Sequence, residues 1–194
     1  ALGFRGDYVY RILGSGDIII ETHVEPQGKI PDWLPNVPMW LPKIGLQMTL
    51  PARFKYFSWY GRGPMETYPD RKTGAKVGVY SGTVEEQYSP YLVPQDYGNK
   101  TDVRWATLTD ERRNGLFVTG ATPLNVSAQH FSTDNLTRAR YPFQLKAQDS
   151  VTLNVDYRVT GVGDTPVPTL LGYRVPLQAY HFAVVLRPFS GRQH

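Results

Sequence analysis

Apolar and polar residues alternate along the chain in short runs, the period-two signature of half-buried β-strands, and the spacing of a long amphipathic helix is absent. Residues 8–13 alternate, Gly14-Ser15-Gly16 supplies a turn, and residues 17–24 are rich in β-branched side chains, so the opening predicts a hairpin. Residues 26–42 hold five prolines with Trp33, Met39 and Trp40 between them, which excludes regular structure and predicts a loop folded back as a cover. Ile44, Leu46, Met48 and Leu50 then share one face. Residues 53–60 predict a strand with Phe57 and Trp59 opposite Phe54 and Tyr56, apolar on both faces as inside a sandwich.

Residues 77–84 and 103–110 predict two more strands, and Arg113-Asn114-Gly115 predicts a turn into residues 116–119. Beyond it Leu124, Val126 and Ala128 share a face. One short helix is predicted, capped by Thr133 or Asp134 and running to residue 140. Residues 150–159 place Val151, Leu153, Val155, Tyr157 and Val159 on one face, and residues 177–186 do the same with Tyr180, Phe182, Val184 and Leu186. There is no repeat at a fixed period and no low-complexity segment.

Composition narrows this to one all-β domain over residues 1–194. A chain of this length buries roughly 70% of the surface it exposes when unfolded. Its 13 Tyr, 8 Phe, 4 Trp, 18 Gly and 16 Pro suit many short strands joined by turns. The net charge of +4 comes from scattered residues rather than a basic stripe, so nucleic acid is not an expected partner. With no cysteine, disulfide and thiolate chemistry are excluded, and cytosol and periplasm both stay open. No apolar run reaches the roughly 18 residues that span a bilayer, and the first residues do not read as a signal peptide. A start close to a strand, without an initiating Met, predicts a piece of a longer polypeptide.

The densest chemistry lies in WYGRGPMETYPDR, residues 59–71. Gly61, Gly63 and Pro64 predict that the preceding strand ends there in a shaped, exposed loop. Arg62, Glu66, Asp70 and Arg71 can form charge-assisted hydrogen bonds with one another or with a polar ligand, and Trp59, Tyr60 and Tyr68 offer flat apolar faces. Such a mixture suits a sugar. His23, His130, His181 and His194 lack metal-ligand spacing, and His181 reads as a satisfied structural histidine. GRGP is followed by neither Lys-Ser/Thr nor a helix, so it is not a phosphate loop.

The pattern W-x-G-x-G-P-x-E-x-Y-x-D-R, matched by Trp59, Gly61, Gly63, Pro64, Glu66, Tyr68, Asp70 and Arg71, resembles the C-terminal β-sandwich (small-chain) domain of glycoside hydrolase family two β-galactosidases. The likeness continues through YRILGSGDIIIETHVEP, YSPYLVPQDYGNKTDVRW, TGVGDTP and YHFAVVLRP, and so covers almost the whole chain. It implies an antiparallel two-sheet supersandwich, galactose-mutarotase-like, lacking the first strands of the family domain, so that edges are exposed or covered by another chain. The intact relatives hydrolyse terminal β-D-galactosides. Retaining enzymes need two carboxyl groups about 5 Å apart. In the resembling proteins both belong to an upstream barrel, so no catalytic residue is expected here and the chain alone is expected to be inactive. Their Mg2+ and Na+ sites lie mostly outside this region, so no cofactor or metal ligand is expected on this chain.

The resemblance also makes Gly63, Pro64, Met65 and Glu66 a gate beside the active-site mouth, hinged at Gly61 and Gly63. The alternative for Glu66, Asp70 and Arg71 is that internal ion pairs merely tie the loop down. A substrate-stacking tryptophan of the family is missing, since Pro166 and Val167 stand about where it would fall. Asp164 is left to bond a hydroxyl or to cap its own turn. Expected partners are the barrel and other domains of the parent protein and a galactoside or other carbohydrate, with a homo-oligomer open. Two other functions compete. One is a stand-alone carbohydrate-binding module using Trp59, Tyr60 and Arg62. The other is an aldose epimerase, which needs a histidine acid and a glutamate base in a context that none of the four histidines shows.

Overall fold

Eleven strands, every pair antiparallel, make up the fold of the described residues, which are 3–28, 39–163 and 167–191 of the computed structural model. The predicted hairpin is β1 (Gly3–Ile12) with β2 (Ile18–Gln27), closed by the Leu13 amide donating to the Asp17 carbonyl at 2.9 Å. β3 (Trp40–Leu41) is followed by β4 (Lys43–Pro51), β5 (Tyr56–Gly63), β6 (Lys76–Thr83), β7 (Lys100–Thr109), β8 (Gly115–Gln129), β9 (Ser150–Val159), β10 (Val175–Pro176) and β11 (Tyr180–Phe189). One hydrogen-bonded path runs β1-β2-β11-β8-β7-β5-β6, with β9 and β4 branching from β8.

The branch arises because β8 is fifteen residues long and serves two neighbours. Residues 115–120 pair with β11, and residues 125–129 pair with β9, which in turn carries β4. The two layers of this all-β sandwich are thus joined along one bent strand. Their apolar faces meet in a single cluster that includes Ile20, Leu50, Phe57, Trp59, Val103, Val126, Leu153 and Val184. Burial of such side chains is worth roughly 1.5–3 kcal/mol each and is the main term holding the layers together.

Differences from the sequence reading are local. The helix α1 (Thr133–Arg138) is capped by Ser132, whose hydroxyl accepts from the Asn135 amide at 3.1 Å, so the cap falls one residue earlier than expected. β5 begins at Tyr56, after a turn in which the Phe54 amide donates to the Pro51 carbonyl at 3.0 Å. It also runs through Gly61 to Gly63, still paired with Lys76 of β6, rather than ending at the first glycine. Residues 29–38, including Trp33, lie outside the described residues, but Trp40 pairs with Pro176, and the Arg174 guanidinium sits 4.1 Å over its ring. His181 is exposed on the face opposite Tyr180 and Phe182, as its place in the strand predicts, with the His23 ring 6.3 Å away. β1 is an open edge, every residue of it exposed. No helix among the described residues is long and apolar enough to cross a membrane.

Candidate functional site

Along β5 the inward residues Phe57, Trp59, Gly61 and Gly63 are buried, while Tyr60 and Arg62 lie on the other face. Trp59 is 1% exposed, stacked on Phe57 at 5.0 Å and tilted against Tyr80 at 5.6 Å. Its ring is therefore part of the core, not a platform open to a ligand. Its Nε1 donates to the Arg62 carbonyl at 2.9 Å, fixing the strand just before the loop. Tyr60 is partly exposed, with the Arg104 guanidinium 5.4 Å from its ring. Gly63 is required by space, since a Cβ there would lie 2.8 Å from the Tyr80 ring. Neither Gly61 nor Gly63 adopts a positive φ in this conformation, and both are paired in the β5–β6 ladder.

After the cis Gly63–Pro64 bond the chain leaves the ladder, and Pro64 and Met65 form an exposed tip. Directly beyond the tip, Glu66 and Thr67 are tied to the segment 91–101. The Glu66 carboxylate accepts from the Tyr91 hydroxyl and, at 2.7 Å, from the Gly98 amide. Burial first, and then the bond to Glu66, hold the Tyr91 phenol well above its ordinary value, so it stays a donor. The Thr67 amide donates to the Asn99 carbonyl at 2.7 Å, and the Asn99 side chain returns a bond to the Thr67 carbonyl at 2.8 Å. The ammonium of Lys100, a residue only 2% exposed, donates to the Pro64 carbonyl at 2.9 Å and lies 4.6 Å over the Trp59 ring. Burial lowers its pKa to about 8, against a smaller opposing pull from Glu66.

The four charged residues of the motif do not pair with one another. Arg62 reaches Asp102 at 2.5 Å and the carbonyls of Lys72 and Ala75 at 3.2 and 2.8 Å. Lys72 joins the same carboxylate at 3.0 Å. Tyr68 and Arg71 close a tight turn through reciprocal backbone bonds of 3.2 and 2.8 Å. From that turn Asp70 accepts from the amides of Val162 and Gly163 at 3.0 and 2.8 Å, and Arg71 donates to the Gly163 carbonyl at 3.3 Å. The motif loop is thereby joined to the late G-x-G segment, ninety residues on. Asp164 itself lies outside the described residues. A shallow cleft of about 330 Å³ opens along Met65, Glu66, Asp70 and Arg71. Among the described residues no group of three His, Asp or Glu side chains converges as a metal would need.

That joint makes a sharp prediction. A Cβ on Gly161 would fall inside van der Waals contact of the Asp70 carboxylate. Gly161→Ala is expected to cost about 1–3 kcal/mol in chemical unfolding, the usual price of overpacking. In Gly161→Ala/Asp70→Ala the clash is gone, so the double variant should be at least about 0.5 kcal/mol more stable than the sum of the single losses. Simple additivity would show that the two residues do not meet.

Lys100, Asp102, Tyr91 and Asn99 are the residues that sequence reasoning missed. Gly98-Asn99 is a turn signal, but a single lysine after it has no spacing that separates a buried latch from a solvated side chain.

Residues 3–186 match the family described as the β-galactosidase small chain. A β-galactosidase of Priestia megaterium is 41% identical over 154 residues, 79% of this chain and 14% of the relative. A β-galactosidase of Lactobacillus delbrueckii subsp. bulgaricus is 37% identical over 135 residues, 68% of this chain and 13% of the relative. One from Vibrio cholerae is 33% identical over 163 residues, 84% of this chain and 14% of the relative. The chain thus spans about one seventh of the length of these curated relatives. With the match running through all but the ends of the sequence, the chain belongs to the β-galactosidase small-chain family.

Proposed function

We propose that this chain is the non-catalytic C-terminal domain of a family two β-galactosidase that hydrolyses terminal β-D-galactosides. In this reading it buttresses the catalytic barrel and other domains of the parent protein and lends residues 61–71 to the rim of their active site. The observation that carries the reading is the construction of the loop, with an exposed Pro64–Met65 tip on a base fixed by Glu66, Thr67 and Lys100. A rim element needs that combination, because a group that shapes a sugar site must be held within a fraction of an ångström. Any closure over substrate is carried by the tip, since Gly61 and Gly63 are locked in the β5–β6 ladder. Asp70 and Arg71 act by holding the 161–163 turn beside the loop.

The buried ring of Trp59 weighs against a stand-alone carbohydrate-binding module built on Trp59, Tyr60 and Arg62, because stacking needs an open face. The experiment is a chimera in which this chain replaces the matching segment of the Priestia megaterium relative. The chimera is expected to cleave a chromogenic β-galactoside, and the chain alone is expected to cleave none. Hydrolysis by the chain alone, or an inactive but folded chimera, contradicts the reading.

A further inference from the structure

A second cleft, of about 430 Å³, lies between β7, β8 and β9 and the segment 172–175, beyond Lys72 at the far end of the motif loop. Its lining is unbalanced in charge. Lys72, Arg158 and Arg174 face it with one carboxylate, Asp102, which Arg62 and Lys72 already engage at 2.5 and 3.0 Å. Among the described residues Arg158 and Arg174 meet no carboxylate. Arg158 is exposed beside the Tyr157 ring, and Arg174 lies over Trp40 with its Nε donating to the Thr169 carbonyl at 2.7 Å.

The backbone here is also irregular. The β7–β8 register shifts on both sides of Val103, and Asp102 takes a φ of +55°, in the left-handed region. Bulges re-aim side chains, and strained positions gather at sites that use them. Asp102, at this irregularity, lines the cleft beside Lys72, which it bonds at 3.0 Å. Asn125 supplies a neutral hydrogen-bonding group, and Tyr173, 42% exposed, supplies an apolar ring.

We infer that this cleft binds a saccharide carrying a negative charge, a uronic acid or a sulfate ester. The guanidinium groups take the anion, while the neutral side chains and the Tyr173 ring take the sugar. Nothing in this inference depends on hydrolysis by a parent enzyme, so it can fail while the rim-loop reading stands.

The test is calorimetric titration of the chain with D-galacturonic acid, galactose 6-sulfate, galactose and inorganic sulfate. The two acidic sugars are expected to bind saturably, at least about tenfold more tightly than galactose or sulfate, and more weakly as salt rises. Arg158→Ala, an exposed residue whose loss leaves the core intact, should weaken them by about tenfold or more. Lys55→Ala removes an equal charge at the entrance to β5, outside the cleft, and should change nothing. Galactose or bare sulfate binding as well as the acidic sugars overturns the inference. So does an unchanged affinity in Arg158→Ala, or the lack of saturable binding.

Discussion

Trp59→Ala is expected to lower the unfolding free energy by about 3–5 kcal/mol, the range for removing a large aromatic from a packed core. Three losses coincide at this position. The cavity is left between Phe57 and Tyr80, the Lys100 ammonium loses the ring beneath it, and the Arg62 carbonyl loses its donor. For a chain of this length each kcal/mol corresponds to a melting shift of roughly 2–4 °C, so the midpoint should fall by roughly 10 °C. Trp59→Phe keeps a ring for Phe57 and Lys100 while losing the N–H, and should cost about 1–2 kcal/mol. Thermal melts of both variants check this. A loss below about 1 kcal/mol in the alanine variant would mean that Trp59 is not the keystone beneath the loop.

The second large effect is a dependence of stability on pH centred on Asp156. This carboxyl sits in β9 opposite Gly45, its side chain 6% exposed, and the Lys43 ammonium is 3.7 Å away. Burial pushes its pKa up to about 7 against the pull of Lys43, and the nearby Asp96 charge, itself 2.8 Å from Lys43, adds to the rise. Between about pH 4 and 7 the folded state therefore holds a proton that the unfolded state has released. The stability this group contributes is fully present below that window and declines as the pH rises through it, by on the order of 4 kcal/mol at 1.36 kcal/mol per unit. Asp102 works in the opposite sense, since the Arg62 and Lys72 bonds outweigh burial and depress its pKa, but only below the usual carboxylate range.

Asp156→Asn, which resembles the protonated acid in shape, should flatten the decline. Denaturant titrations at pH 5 and pH 8 read this directly. The variant is expected to match the parent chain at pH 5 and to exceed it at pH 8. An equal slope in both proteins, or a variant that is weaker only at pH 8, would show that the carboxyl is not held neutral.

Much of this fold was legible because its strands are simple. β9 occupies residues 150–159 as its alternation predicts, and the buried set Val151, Leu153 and Val155 is the one read from sequence. The opposite face of the same strand was not legible. Thr152, Asn154 and Asp156 carry no burial signal in the alternation, yet they are buried, with Asn154 bonded to Gln47 of β4 and Ser127 of β8 and Asp156 beside Lys43. β8 read as two pieces, since Gly120 and Pro123 interrupt its pattern, and only the pairing shows that it bends rather than stops. At the candidate site the loop was visible through its own residues, but its supports were not. Arg62 finds Asp102, Glu66 finds Gly98, and Asp70 finds Gly163, all partners more than thirty residues away. Sequence spacing carries no signal for contacts that exist only after two loops meet on the sheet.

The central claim is that residues 61–71 act in the chemistry of a neighbouring active site while supplying none of its reacting groups. It is tested most directly by kcat/KM of the Priestia megaterium chimera carrying Glu66→Gln or Met65→Ala, each measured beside its thermal midpoint. The account predicts that at least one of the two lowers kcat/KM by about tenfold or more, with a midpoint within a few degrees of the parent chimera. Unchanged kcat/KM in both folded variants would contradict it.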